Sequence, residues 1–186
     1  MSNQAISDIK RDHTVSLRAN GTRTDGRSPT DIREISASIN CIESADGSAR
    51  VKLGNTEVIA GVKIIPGAPF GETPRSGVLT TGAELIPMAH QSFESGPPGE
   101  DAIELARVVD RGIRESGMVN VDELCITEGE KVWMCFIDMY ALDYDGNLFD
   151  ASNLAAVLAL KTAMIPGTQY GLPEWDRPLP ITCMPI

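Results

Sequence analysis

The sequence lacks the features that mark a membrane protein, a disulfide scaffold or a metal site. No apolar run reaches the roughly 18 residues that a membrane-spanning helix needs. The opening Met1-Ser-Asn-Gln-Ala-Ile-Ser-Asp8 has neither the basic nor the apolar stretch of a secretory leader, so a cytoplasmic protein is expected. Cysteine is scarce. Cys41, Cys125, Cys135 and Cys183 form no C-x-x-C pair, and the only histidines, His13 and His90, lie far from them in sequence. That spacing argues against zinc, and the cysteines read as small hydrophobes in a reduced compartment. His13 reads as a surface residue and His90 as a structural one. Positive charge is also in deficit, with 16 Lys and Arg against 26 Asp and Glu, a formal net charge of -10. Phosphate attracts basic surfaces, so this balance argues against general nucleic-acid binding. Any RNA contact must come from a local basic patch or a more basic partner. Internal repeats and low-complexity tracts are absent too.

Acidic residues cluster at Asp138, Asp143, Asp145 and Asp150 without making a calcium loop. Counted from Asp143, the glycine falls at the fourth position, whereas a calcium loop needs it at the sixth. Asp145 and Asp150 read either as turn and helix-cap residues or as the edge of a residual active site. No metal and no cofactor is expected.

What is present is enough for one domain with a core. The chain has 186 residues, 42% hydrophobic and 23% charged. Residues 1–20 are polar and mixed and read as an N-terminal arm, with Ile6, Ile9 and Val15 able to line a short helix. From Ile35 the pattern has period two. Ile35, Ala37, Ile39 and Cys41 alternate with polar residues as in a half-buried strand, and two further runs follow through Val51 and Val62. Asp46-Gly47 and Gly54-Asn55 supply the turns, which predicts an antiparallel meander. Gly77 to Ile86 is a further strand. Leu124 to Thr127 and Val132 to Tyr140 make a hairpin, and Ala151 to Ala163 an apolar helix. Ile181 begins what reads as another strand. The class is α+β, with a mixed or antiparallel sheet and packed helices.

The clearest helix runs from about Glu100 to Ser116. Glu100 and Asp101 lie where the helix dipole favours acids, and Gly117 follows its end. At 100° per residue, Ala102, Leu105, Ala106, Val109 and Ile113 share one side. Arg107, Arg111 and Arg114 share the opposite side. Two readings stand for that arginine face: a solvated surface with an Asp110–Arg114 pair, or a grip on RNA phosphates, for which the planar guanidinium is well suited. Arg23, Asp25 and Arg27 likewise admit two readings, a local lock of the leading segment or an RNA entry.

Five segments in order carry a family resemblance. They are Gly21-Thr-Arg-Thr-Asp-Gly-Arg27, Gly47-Ser-Ala-Arg-Val-Lys-Leu-Gly-Asn-Thr56, Phe93-Glu-Ser-Gly-Pro-Pro98, Glu104-Leu-Ala-Arg-Val-Val-Asp-Arg111 and Leu142-Asp-Tyr-Asp-Gly-Asn147. From about residue 20 to residue 186 the chain resembles the RNase PH family, and within it the non-catalytic ring subunits of archaeal exosomes. The resemblance implies the RNase PH-like fold, of the ribosomal protein S5 domain 2 type, over residues 21–186 and incomplete at its C-terminal end. The family's catalytic carboxylates lie beyond the strand that begins near Ile181. It also implies the partners: a catalytic paralogue in an alternating hexameric ring, RNA-binding cap subunits, and single-stranded RNA gripped by Arg107, Arg111 and Arg114. Active members use inorganic phosphate to release nucleoside diphosphates from the RNA 3′ end. Their Gly-Thr-Arg-type phosphate site falls where this chain reads Asp145-Gly-Asn-Leu-Phe149, and Leu148 offers no donor to an anion. That departure implies a non-catalytic subunit; the alternative is an active phosphorolytic exoribonuclease.

Overall fold

The structure is a computed structural model that describes residues 2–185, with side chains from residue 8 onward. The chain forms two compact units, one up to Arg33 and one from Glu34 on. In the first, the segment expected to be an arm is an 18-residue helix, α1 (Ser2–Ala19). Its Ile9 and Val15 are exposed. After α1 the chain is pinned by local bonds. Arg27 Nε donates to Asp25 Oδ2 at 2.7 Å, Arg27 Nη1 to the Asp31 carbonyl at 2.7 Å, and Arg23 Nη2 to the Pro29 carbonyl at 2.6 Å. The Arg27 guanidinium holds the Asp25 carboxyl below its ordinary range. The local-lock reading of this triad is therefore the one the geometry carries.

The second unit is a sheet with helices on one face. The strands are β1 (Ile35–Ile39), β2 (Gly47–Leu53), β3 (Thr56–Gly67), β4 (Val78–Leu85), β5 (Cys125–Thr127) and β6 (Lys131–Asp143). Their order is β1-β2-β3-β6-β4, with β5 paired to the start of β6. β1, β2 and β3 form the expected antiparallel meander, β6 adds antiparallel to β3, and β4 runs parallel to β6. The period-two pattern decides which residues face the helices. Val58, Ala60, Val62 and Ile64 of β3 lie beside Cys135, Ile137 and Met139 of β6, all fully or almost fully buried. Helices α2 (Glu100–Glu115) and α3 (Leu148–Thr162) cover that face.

Three expectations need correction. β1 is exposed along all five residues and not half-buried, because it is the last strand of the sheet and α3 scarcely reaches it. Helix α3 begins at Leu148, three residues earlier than expected, because Asn147 takes the left-handed conformation (φ 57°) that lets the chain turn directly into the helix. The residues from Ile181 form a single bridge to Val119, not a strand. Of the cysteines only Cys135 is buried, with its thiol pushed up to about 12 by desolvation; Cys41 and Cys183 are exposed, and none forms a disulfide.

Gly112 inside α2 is a departure from helix propensity that packing does not require. A Cβ there would meet only Asn153 Oδ1 at 3.5 Å, an ordinary contact. Gly112→Ala is expected to stabilise the fold by about 0.5–1 kcal/mol, because alanine loses less backbone entropy. A thermal melt showing a lower midpoint than wild type would contradict this.

Candidate nucleic-acid interface

Helix α2 is fixed by its apolar stripe. Ala102, Leu105, Val109 and Ile113 are buried, so the residues half a turn away face solvent. The structure brings Arg107, Arg111 and Arg114 together on that exposed side. It also separates them into two kinds. Arg114 is committed: its Nε and Nη2 bond the two oxygens of Asp110 at 2.9 Å each, and Nη2 also reaches the Leu79 carbonyl of β4 at 2.9 Å. Asp110 in turn accepts the Thr81 hydroxyl at 3.2 Å. The pair ties α2 to the edge strand, and the Asp110 carboxylate raises the Arg114 pKa. Arg107 and Arg111 make no ion pair or hydrogen bond among the described residues.

Arg107 and Arg111 are four residues apart, so their backbone positions are separated by a rise of about 6 Å along the helix axis. Several other cations are already paired with acids. Arg50 pairs with Glu57, Lys63 with Asp46 and Arg75 with Glu128. On the face of the sheet that carries no helix, Glu84 and Asp138 sit close, with the Tyr140 hydroxyl donating to Glu84 Oε1 at 3.1 Å. Burial and the Glu84 carboxylate push the Asp138 carboxyl up. That pair of carboxyl groups disfavours a phosphate beside it.

The sequence reading missed two exposed apolar residues on the same helix, Ile103 at 50% and Val108 at 48% exposure. Both fall outside the stripe that the 3.6-residue period assigns to the core, and that displacement is the signal that could have found them. They flank the arginines and offer apolar contact beside them.

The second element is the turn from β6 into α3. It is clamped by the β2–β3 turn. Buried Thr56 donates its hydroxyl to the Gly146 carbonyl at 2.6 Å and accepts the Asp145 N–H at 2.9 Å, while Asn55 Nδ2 donates to Asp145 Oδ2 at 3.1 Å. Asp145 is thus a turn residue. His90, Phe93 and Tyr144 pack against one another over the same turn, ring centroids 5.3–5.7 Å apart. At the helix start, no side chain caps the open N–H groups. Asp150 lies in the first turn instead, where the dipole favours an anion, and Asn147 Nδ2 donates to its Oδ2 at 2.7 Å. Leu148 is partly buried and packs against the core. An incoming phosphate would meet a resident carboxylate.

Among the described residues no group of three His, Cys, Asp or Glu side chains is arranged to hold a metal ion, and no helix is long and apolar enough to cross a membrane.

Comparison with known proteins agrees with this architecture. Residues 31–166 match the model of the 3′ exoribonuclease family, domain 1 (RNase PH). The chain is 55% identical to the exosome complex component Rrp42 of Methanocella arvoryzae over 186 residues, which is all of this chain and 71% of that protein. It superposes with a TM-score of 0.91 and 51% identity on a chain of the Archaeoglobus fulgidus exosome with RNA bound to the active site, covering 96% of this chain and 70% of that one. A chain of an archaeal exosome core gives a TM-score of 0.86 at 47% identity, covering 98% and 69%. The α+β fold with its mixed sheet is therefore the RNase PH fold, and the chain belongs to the RNase PH family of 3′ exoribonucleases, in the group of the exosome components Rrp42.

Proposed function

We propose that this chain is a non-catalytic, RNA-contacting subunit of an archaeal exosome ring in the cytoplasm. It supports 3′-to-5′ phosphorolytic RNA degradation carried out by a catalytic paralogue of the same family. The paralogue alternates with it in a hexameric ring, and RNA-binding cap subunits deliver the single strand. The observation that carries this reading is the pairing of two features on one molecule. Arg107 and Arg111 stand unpaired on the outer side of α2, while the α3 entry, where an active member would hold phosphate, holds Asp150. The first feature serves RNA binding and the second opposes phosphate activation. Arg114 contributes by holding α2 against β4, with its guanidinium edge half exposed beside the other two.

The purified chain, given 3′-labelled RNA and inorganic phosphate, is expected to release no nucleoside diphosphate above a mock preparation. With the catalytic paralogue added, release is expected to appear. Steady phosphate-dependent release by the chain alone would overturn the non-catalytic assignment in favour of an active exoribonuclease.

A further inference from the structure

The outer side of α2 is not a uniform basic patch. In chain order it carries Glu100, Glu104, Arg107, Arg111, Arg114 and Glu115, all exposed. The charge of Arg114 is matched by its pair with Asp110. What is left is two free cations, Arg107 and Arg111, with carboxylates before them and after them.

Glu104 precedes Arg107 by three residues and Glu115 follows Arg111 by four, rises of about 4.5 and 6 Å along the axis, and residues so spaced share one face of a helix. Neither glutamate makes an ion pair or hydrogen bond among the described residues. Their negative charge therefore stands free beside the arginines. Its reach is seen at Arg114, whose pKa is raised by its bond to Asp110 and further by the charges of Asp110 and Glu115. A phosphate held by Arg107 or Arg111 sits about one helical turn from one of these carboxylates, inside the Debye length of about 8–10 Å at ordinary ionic strength.

We infer that Glu104 and Glu115 are specificity-determining residues of the RNA contact. They confine it to the phosphates that Arg107 and Arg111 touch directly, and they keep the hold loose. The inference rests on the RNA-contact reading of those two arginines. Its sense lies in the reaction served. A ring that shortens RNA from the 3′ end must let the strand advance after each nucleotide is released. A helix basic along its whole length would hold many phosphates and oppose each step, because phosphate contacts sum without regard to sequence. Two contacts bounded by acids release readily.

The test removes both charges and keeps the side-chain size, with Glu104→Gln and Glu115→Gln combined. In the proposed ring with a catalytic paralogue, this variant is expected to bind single-stranded RNA about threefold to tenfold more tightly at low salt, the scale of one or two like-charge neighbours removed. The gain should fade by about 1 M salt, where the Debye length is about 3 Å. A structural effect of the substitutions would not vanish with salt. Glu43→Gln with Glu174→Gln changes the net charge equally at exposed positions outside α2, and is expected to leave binding unchanged. No gain at low salt, a gain undiminished at high salt, or an equal gain from the control pair would each overturn the inference. Arg107→Ala with Arg111→Ala is measured alongside. If it loses affinity while the glutamate variant gains none, this inference fails and the RNA-contact reading stands. If it binds as wild type does, the reading fails and takes the inference with it.

Discussion

Gly47→Ala is expected to cost the larger unit much of its stability. Gly47 opens β2 where α3 crosses it. A Cβ at this position would lie 2.4 Å from the Ala159 carbonyl oxygen, 2.6 Å from Ala163 Cα and 2.8 Å from Ala163 Cβ. None of these atoms can rotate away, because the first two are backbone and the third is fixed to it. The helix must lift from the sheet. Helix α3 approaches this closely because its inner face is built from Ala151, Ala155, Ala156 and Ala159, all essentially inaccessible to solvent. Lifting it opens voids along the whole contact with β2 and β3. Overpacking of a core typically costs about 1–3 kcal/mol, and more when backbone must move, against a total of about 5–15 kcal/mol for a domain. At about 2–4 °C per kcal/mol for a chain of this size, the melting midpoint should fall by roughly 10 °C or more, or the variant should not fold. Far-UV circular dichroism during a thermal ramp checks it, with Gly112→Ala as a partner of opposite sign. A midpoint equal to wild type would show that α3 is not seated on Gly47.

That glycine also marks a limit of the sequence. Beside Asp46 it reads as turn chemistry, yet its φ is not in the left-handed region, and the demand for glycine comes from a helix more than a hundred residues away. Elements whose cause is local were legible. Helix α2 was, since its stripe, its acidic first turn and the left-handed Gly117 (φ 65°) all lie within it. So was the meander, although only β2 and β3 are joined by the expected two-residue turn, Gly54-Asn55; β1 and β2 are joined by the longer segment 40–46, and Gly47 itself opens β2. What depended on distant chain was not. Alternation told which side of β1 faces the core, but not that no strand follows it. The parallel pairing of β4 with β6 leaves no local mark.

The candidate site divides in the same way. The arginine face follows from helical period alone, and so does the i,i+4 pair of Asp110 with Arg114. The bond from Arg114 to the Leu79 carbonyl, 35 residues away, does not, and it is this bond that sets Arg114 apart from its neighbours. That Leu148 stands where active members place a phosphate donor is what the family pattern implies. The use of Asp150 to occupy the α3 start required the geometry of the turn.

Replacing both free arginines is the sharpest test of the RNA-contact role. In the proposed ring with a catalytic paralogue, Arg107→Ala with Arg111→Ala is expected to weaken single-stranded RNA binding about equally across sequences. Contacts to phosphate carry charge but no base identity. Each charge-assisted hydrogen bond is worth about 1.5–3 kcal/mol, so losing both should lower affinity by at least about a hundredfold at low salt. Each lost phosphate contact should also reduce the slope of log affinity against log salt by about 0.7, giving about 1.4 for the pair. Assembly should be intact, since neither side chain makes an ion pair or hydrogen bond among the described residues. Arg114→Ala is expected to behave differently. It breaks the tie from α2 to β4 and leaves Asp110 without its partner, so it should lower the melting midpoint as well as RNA affinity. A solvated arginine face predicts instead a change within about 0.5 kcal/mol for the double variant, as for most surface substitutions. A titration at two salt concentrations separates the readings. Unchanged affinity and unchanged slope would remove Arg107 and Arg111 from the RNA path and leave the family assignment standing.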